Sequence, residues 1–206
     1  MHLNEVQHDA LVELLNIGFG RAGASLSRLT GHRVLLEAPQ VSIHPMHQLH
    51  SFLEQVVEDE VASVHQIFSG PVAGDALLML DPVAATALKE LLTSEPALPL
   101  ALDASTREVL TEVGNIVLNA CVGTFGNLLR MQLGFSVPSI NVATVKAVLD
   151  SLESAQDGFR YALVVTAGFR LRDAEVTGYV VIVLTVQSLN RLLGAVDDWE
   201  RRQRLM

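Results

Sequence analysis

Cysteine is almost absent: Cys121 is the one thiol in 206 residues. That excludes an internal disulfide framework, which needs two thiols, and a metal site built from several thiolates. Basic side chains are also scarce, with 14 Lys and Arg against 23 Asp and Glu and a formal net charge of −9. Nonspecific attraction to nucleic acid or to anionic lipid needs the opposite balance. Charged residues make up only 18% of the chain and hydrophobic ones 50%, a composition that excludes disorder. The longest strongly apolar run near the C-terminus, Val180 to Leu184, is far too short to span a bilayer. The opening MHLNEVQHDA is polar and has no signal-peptide pattern. A reduced, cytoplasmic, soluble protein is expected. Its length suits one large domain or two small fused ones.

Apolar residues recur with helical spacing at Val6, Ala10, Leu14 and Ile17 and at Leu11 and Leu15. With Asn4 and Gln7 at capping-box spacing, a helix is predicted from about Asn4 to Thr30. Val34 to Ser42 reads as an edge or bulged strand because Pro39 interrupts it. A short helix follows over His47 to Val57, then strands Val61 to Phe68 and Val72 to Leu80 as a hairpin about the turn Ser69-Gly70-Pro71. Asp81-Pro82 opens a helix to about Leu92, as N-cap and first helical residue. Thr93 to Ala104, with Pro96 and Pro99, reads as a linker.

The same order then returns. Ser105 to Met131 is predicted as a long helix, with Ser105 and Glu108 as its capping box. A strand over Val137 to Val142 carries Pro138, and a short helix spans Ala143 to Glu153. Strands Tyr161 to Arg170 and Val176 to Leu184 follow, then a helix from Gln187 to Val196 that the charged tail extends. The expected class is α+β. A unit of helix, strand, helix, strand, strand, helix occurs twice, at about 4–92 and 105–196, in one domain sharing a largely antiparallel sheet.

The duplication is visible residue by residue. Glu13 and Glu112 are 99 apart, and so are Asn16 and Asn115, Ile17 and Ile116, and Pro39 and Pro138; Asp9 and Glu108 align as acid to acid. The shared pattern is acid, three residues, Glu, two residues, Asn, twenty-two residues, Pro. Positions i, i+4 and i+7 share one helix face. Asp9, Glu13 and Asn16 therefore make one polar stripe and Glu108, Glu112 and Asn115 another, which Asn119 continues where the first helix has Gly20. A lone Glu-x-x-Asn is an ordinary solvated face. Asn is only a modest helix former, so the same pair placed twice in mid-helix marks a site. Both stripes are expected to face solvent, since the flanking apolar positions must face the sheet.

An Asn amide is neither base nor nucleophile at neutral pH, but it donates and accepts hydrogen bonds. That suits orienting a water for in-line attack on phosphorus, as a Gln does in GTPases. A Glu carboxylate can pair with a lysine. No Mg²⁺ cage or phosphate cradle is evident, so a partner would have to bring the metal and the phosphoryl group.

Other patterns carry less. Gly18-Phe19-Gly20-Arg21-Ala22-Gly23 spells GxGxxG, but amphipathic helix precedes it where a dinucleotide site needs a strand. Its glycines are expected to permit close helix packing. His44, His47 and His50 are three apart, with Pro45 breaking any helix through the first two, and read as surface or interface histidines rather than a metal site. Cys121 reads as a small buried hydrophobe, and Glu58-Asp59-Glu60 as a solvated loop.

The repeated motif resembles that of the CheC family of chemotaxis phosphatases, the CheC/CheX/FliY family. The family motif is Asp or Ser, three residues, Glu, two residues, Asn, twenty-two residues, Pro. Asp9-Glu13-Asn16-Pro39 matches it in full, and Glu108-Glu112-Asn115-Pro138 departs only at its first position. The resemblance covers essentially the whole chain, including the twofold repeat. It implies two sites that hydrolyse the aspartyl phosphate of a CheY-like response regulator. Asn16 and Asn115 would orient the attacking water, and Glu13 and Glu112 would pair with the receiver's lysine. Asp9, Glu108 and Asn119 would contact the partner. No cofactor is expected in this chain, Mg²⁺ being supplied by the receiver. The alternative is a non-catalytic CheC-like module that binds a phosphorylated receiver, CheD or a flagellar switch component. The switch protein FliM shares the fold without the Glu–Asn pairs, so two intact pairs favour the enzyme. A monomer or homodimer is expected. The first site is expected to be at least as active as the second, because Asp9 keeps the motif while Glu108 is committed to the helix cap.

Overall fold

The computed structural model describes residues 3–57, 60–93, 103–154, 160–171 and 174–205. Of the expected linker Thr93 to Ala104, residues 94–102 lie outside them, as do Glu58 and Asp59, while Thr93 ends one helix, Ala104 begins the next and Glu60 opens a strand.

Helix α1 (Glu5–Thr30) starts at Asn4, whose side chain accepts from the Gln7 amide while Gln7 reaches back to the Asn4 backbone, and it ends on Gly31 at φ 70°. Strand β1 (Val34–Pro45) leads to α2 (Met46–Leu53), the hairpin β2 (Glu60–Ser69) and β3 (Gly74–Leu80), and α3 (Pro82–Thr93). The second half supplies α4 (Ala104–Leu128), a two-residue β4 (Gly134–Phe135), β5 (Ser139–Thr144), α5 (Val145–Ser154), β6 (Arg160–Leu171), β7 (Ala174–Thr185) and α6 (Val186–Arg204). The α+β class and its duplicated unit are as predicted, and the charged tail does extend α6.

Two details differ. The N-cap of α4 is Asp103, which accepts from the Thr106 amide, so Ser105 lies inside the first turn and Glu108 is no cap partner. The repeat explains the choice, because Asp103 stands 99 residues after the N-cap Asn4. Strand β5 begins at Ser139, after Pro138 rather than through it, and Val137 before it is 88% exposed. A proline has no N–H to give a ladder. Pro39 does lie within β1, at a register break between Glu37 and Gln40, the predicted bulge.

All seven strands pair antiparallel in one sheet of order β1-β6-β7-β3-β2, where β2 also carries β5 and β4 at its outer side. The repeats are interlocked. The first long strand of each half pairs with the hairpin of the other: Ser42 of β1 faces Val164 of β6, and Asn141 of β5, 99 residues after Ser42, faces Ser63 of β2.

The central strands β3 and β7 carry continuous apolar runs, Ala76 to Leu80 and Val180 to Leu184, because both faces are covered there. Ala76, Leu78, Leu80, Val180, Ile182 and Leu184 point to the larger core under α1, α3, α4 and α6. Leu77, Met79, Val181 and Val183 point to a smaller core under α2 and α5. The smaller face also holds a buried ionic cluster. Asp75 accepts from Arg160 at 2.6 Å and bonds His65 at 2.9 Å, while Arg160 also donates to the Leu152 carbonyl at 2.5 Å.

Helices α1 and α4 pack together on the larger face. A side chain at Gly18 would sit 3.0 Å from the Ala120 carbonyl and 3.1 Å from the Cys121 Cα, so glycine sets how closely they approach. Gly20 is different: it faces open space. α4 is long and apolar enough to cross a membrane by length and composition, but more than half of its apolar window is buried within the fold.

Candidate functional site

On α1 the buried positions Ala10, Leu11, Leu14, Leu15, Gly18 and Phe19 face the sheet. That leaves Asp9, Glu13, Asn16 and Gly20 on the opposite side, all exposed. On α4 the buried positions are Leu110, Val113, Gly114, Val117, Leu118 and Cys121. Glu108 and Glu112 are exposed, while Asn115 and Asn119 are half-buried. The helical period thus brings each Glu–Asn pair together on an outward face, one pair on each long helix.

Glu13, Asn16 and Glu112 make no hydrogen bond or ion pair within the chain among the described residues. A carboxylate without an internal partner is available to an external cation. Asp9 has only a 3.5 Å contact with its neighbour His8. The second amide is not free: Asn119 Nδ2 donates to Asn115 Oδ1 at 2.6 Å. Asn119, expected to contact a partner, is turned toward its own helix.

Asp9, Val12, Glu13, Asn16 and Ile17 line an open depression of about 550 Å³. A smaller hollow of about 210 Å³ adjoins it, between Asp9 and Glu13 on α1 and Trp199, Glu200, Gln203 and Arg204 on α6. The C-terminal turns of α6 therefore wall the first site. Arg204 pairs with Glu200, and Gln7 on α1 donates to Asp197 at 3.1 Å, holding the two helices in register. The sequence signal for this wall is the charged tail, whose composition predicts an extended helix but not its packing beside α1.

Among the described residues no three His, Cys, Asp or Glu side chains group as ligands would. His44 is occupied elsewhere, bonded to Ser42 Oγ at 2.8 Å and stacked on Phe52 with ring centroids 4.1 Å apart, and burial lowers its pKa. His50 lies 3.4 Å from Glu54. The GxGxxG run lies wholly inside α1, without the preceding strand a dinucleotide requires.

No model of a protein family matches the chain. Among curated proteins it is 26% identical over 168 residues to the CheY-P phosphatase CheC of Bacillus subtilis, covering 79% of each. The chain is similar to that phosphatase over most of its length. Among solved structures, the chain superposes on one of Thermotoga maritima FliY with a TM-score of 0.78 at 18% identity, over 97% of this chain and 100% of that one. The FliM middle domain of H. pylori follows at 0.62 and 14%, over 94% and 99%. At such identities the structural likeness establishes the shared fold. A shared fold does not by itself fix function, which has to be argued from the side chains of the site.

Proposed function

We propose that the chain hydrolyses the aspartyl phosphate of a CheY-like response regulator at two sites, Glu13–Asn16 on α1 and Glu112–Asn115 on α4. The observation that carries this reading is the twofold occurrence of one Glu–Asn pair at equivalent places on two helices, outward-facing, with both carboxylates unpartnered among the described residues. A named relative with phosphatase activity supports it. The setting it implies is cytoplasmic.

Each helix presents its pair to the receiver as a rigid unit. The Glu carboxylate pairs with the receiver's lysine and fixes the docking pose. The Asn amide then lies against the phosphoryl group and hydrogen-bonds a water in line with the scissile bond. Water oxygen bonds to phosphorus as the bond from phosphorus to the aspartyl oxygen breaks, releasing inorganic phosphate and the receiver's carboxylate. The chain contributes positioning and electrostatics, which is most of what phosphoryl transfer asks of a protein. The receiver contributes Mg²⁺, for which this chain has no ligand set among the described residues.

The test is phosphate release from a phosphorylated CheY-like receiver by the wild type, Asn16→Ala, Asn115→Ala and the double mutant. Removing one such transition-state contact costs roughly 10²–10³ in rate. Each single mutant should keep the turnover of its intact site, and the double mutant should lose activity by about that factor. A double mutant that is folded by circular dichroism and still works at the wild-type rate would sink the mechanism.

A further inference from the structure

The two sites share residue types but not the state of their amides. Asn119 follows Asn115 by one helical turn and donates Nδ2 to its Oδ1 at 2.6 Å. The Asn119 Oδ1 is itself buried and has no hydrogen-bond partner. An unpartnered buried oxygen is destabilising, so folding alone gives little reason for an amide here. In the first repeat the equivalent position is Gly20, which faces open space, and Asn16 is exposed with no internal bond among the described residues.

The consequence is chemical. A primary amide presents oxygen or nitrogen to a given point depending on a 180° flip, and only one of the two faces suits a particular water. The Asn119 donor selects the flip in which Asn115 Oδ1 points along the helix. One lone pair of that oxygen and both N–H groups of Nδ2 remain available for the water and the phosphoryl oxygens. Asn16 has to find the same orientation on each encounter.

We propose that Asn119 is a positioning residue of the second site, a clamp that pre-orients the Asn115 amide, and that the first site lacks its counterpart because Gly20 stands there. The clamp rests on the phosphatase reading above and deepens it. It also reverses the expected ranking of the sites. Since Glu108 is not engaged as a cap and Asn115 is held, the second site turns over faster per bound receiver.

The experiment measures kcat and KM for receiver dephosphorylation in two single-site backgrounds. With Asn16→Ala, only the second site works. Adding Asn119→Ala should lower kcat about two- to tenfold, the range one neutral hydrogen bond supplies, with KM unchanged. Asn119→Asp, which has no N–H to donate, should do the same. With Asn115→Ala, only the first site works. Adding Gly20→Asn, into space that is open, should raise kcat by a similar factor, a gain that damage to the fold cannot produce. Unchanged kcat in Asn119→Ala, an effect confined to KM, or no gain from Gly20→Asn would each overturn the clamp. A wild type that releases no phosphate would overturn the phosphatase reading and the clamp with it, and that control separates the two failures.

Discussion

Gly114 stands between Glu112 and Asn115 on α4, and a methyl group there would have nowhere to go. An added Cβ would lie 2.4 Å from Val64 Cγ1 and 2.5 Å from Val64 Cβ on the strand beneath. Ordinary carbon contacts are about 3.5–4.0 Å, so the overlap is more than an ångström. Val64 is 2% exposed and β-branched, with no alternative rotamer at low cost. The helix itself must lift from the sheet. Overpacking of this kind costs about 1–3 kcal/mol, and the depth of the clash places Gly114→Ala at the upper end. For a chain of this length that lowers Tm by about 5–10 °C. Gly123→Ala, on the same helix with nothing within 4 Å, is the control. It should gain about 1 kcal/mol from helix propensity and raise Tm. Thermal and urea denaturation followed by circular dichroism give both shifts. Because the lift occurs beside Asn115, the Asn16→Ala background should lose turnover on adding Gly114→Ala, and the Asn115→Ala background should not. A Gly114→Ala protein as stable as wild type would refute the close-approach argument and the rigid seat it gives the second site.

Three further outcomes follow from the packing. Asp103→Ala should lower Tm and Ser105→Ala should not, which a melting curve of each reads directly, since Asp103 holds the cap of α4. Burial raises the Asp75 pKa, but the His65 hydrogen bond and charge and the nearby Arg160 outweigh it and leave the carboxyl below its usual 3.8. Its stabilisation is therefore complete above that value and drains away as pH falls through the lower folded one; Asp75→Ala should cost about 3–5 kcal/mol at neutral pH by stranding Arg160, measured by urea unfolding. Burial pushes the Cys121 thiol far up, so at pH 8 an aromatic disulfide reagent should label it only as fast as the core opens, and labelling at the rate of a free thiol would contradict its placement.

The helices, the hairpins and both Glu–Asn stripes were legible because each is written in a local period or in the 99-residue repeat. The α4 cap was misread because two cap patterns overlap there, Asp103 with Thr106 and Ser105 with Glu108, and local chemistry suits either. The repeat would have chosen, through Asn4. The exchange of β1 and β5 between halves was not legible, since strands of similar pattern pair equally well until the whole sheet is assembled. Nor was the Asn119 clamp: spacing places two amides one turn apart but does not say which is turned inward. Gly20 looked like its neighbours in a glycine run, and only the packing separates Gly18, which sets a helix contact, from Gly20, which touches nothing.

The crossed pairing of β1 with β6 and β5 with β2 makes each half of the chain the missing edge of the other. Cut between Thr93 and Asp103, neither piece could complete its own sheet: each would keep a hairpin and a lone strand that belongs elsewhere. Produced together, the two pieces should reassemble, and two copies of a single half should attempt the same embrace. A single unit built this way would complete its sheet only as a pair of identical chains trading strands, with its two polar stripes equivalent by symmetry. In a single chain that constraint is absent, and positions 20 and 119 are free to differ, as Gly and Asn do here.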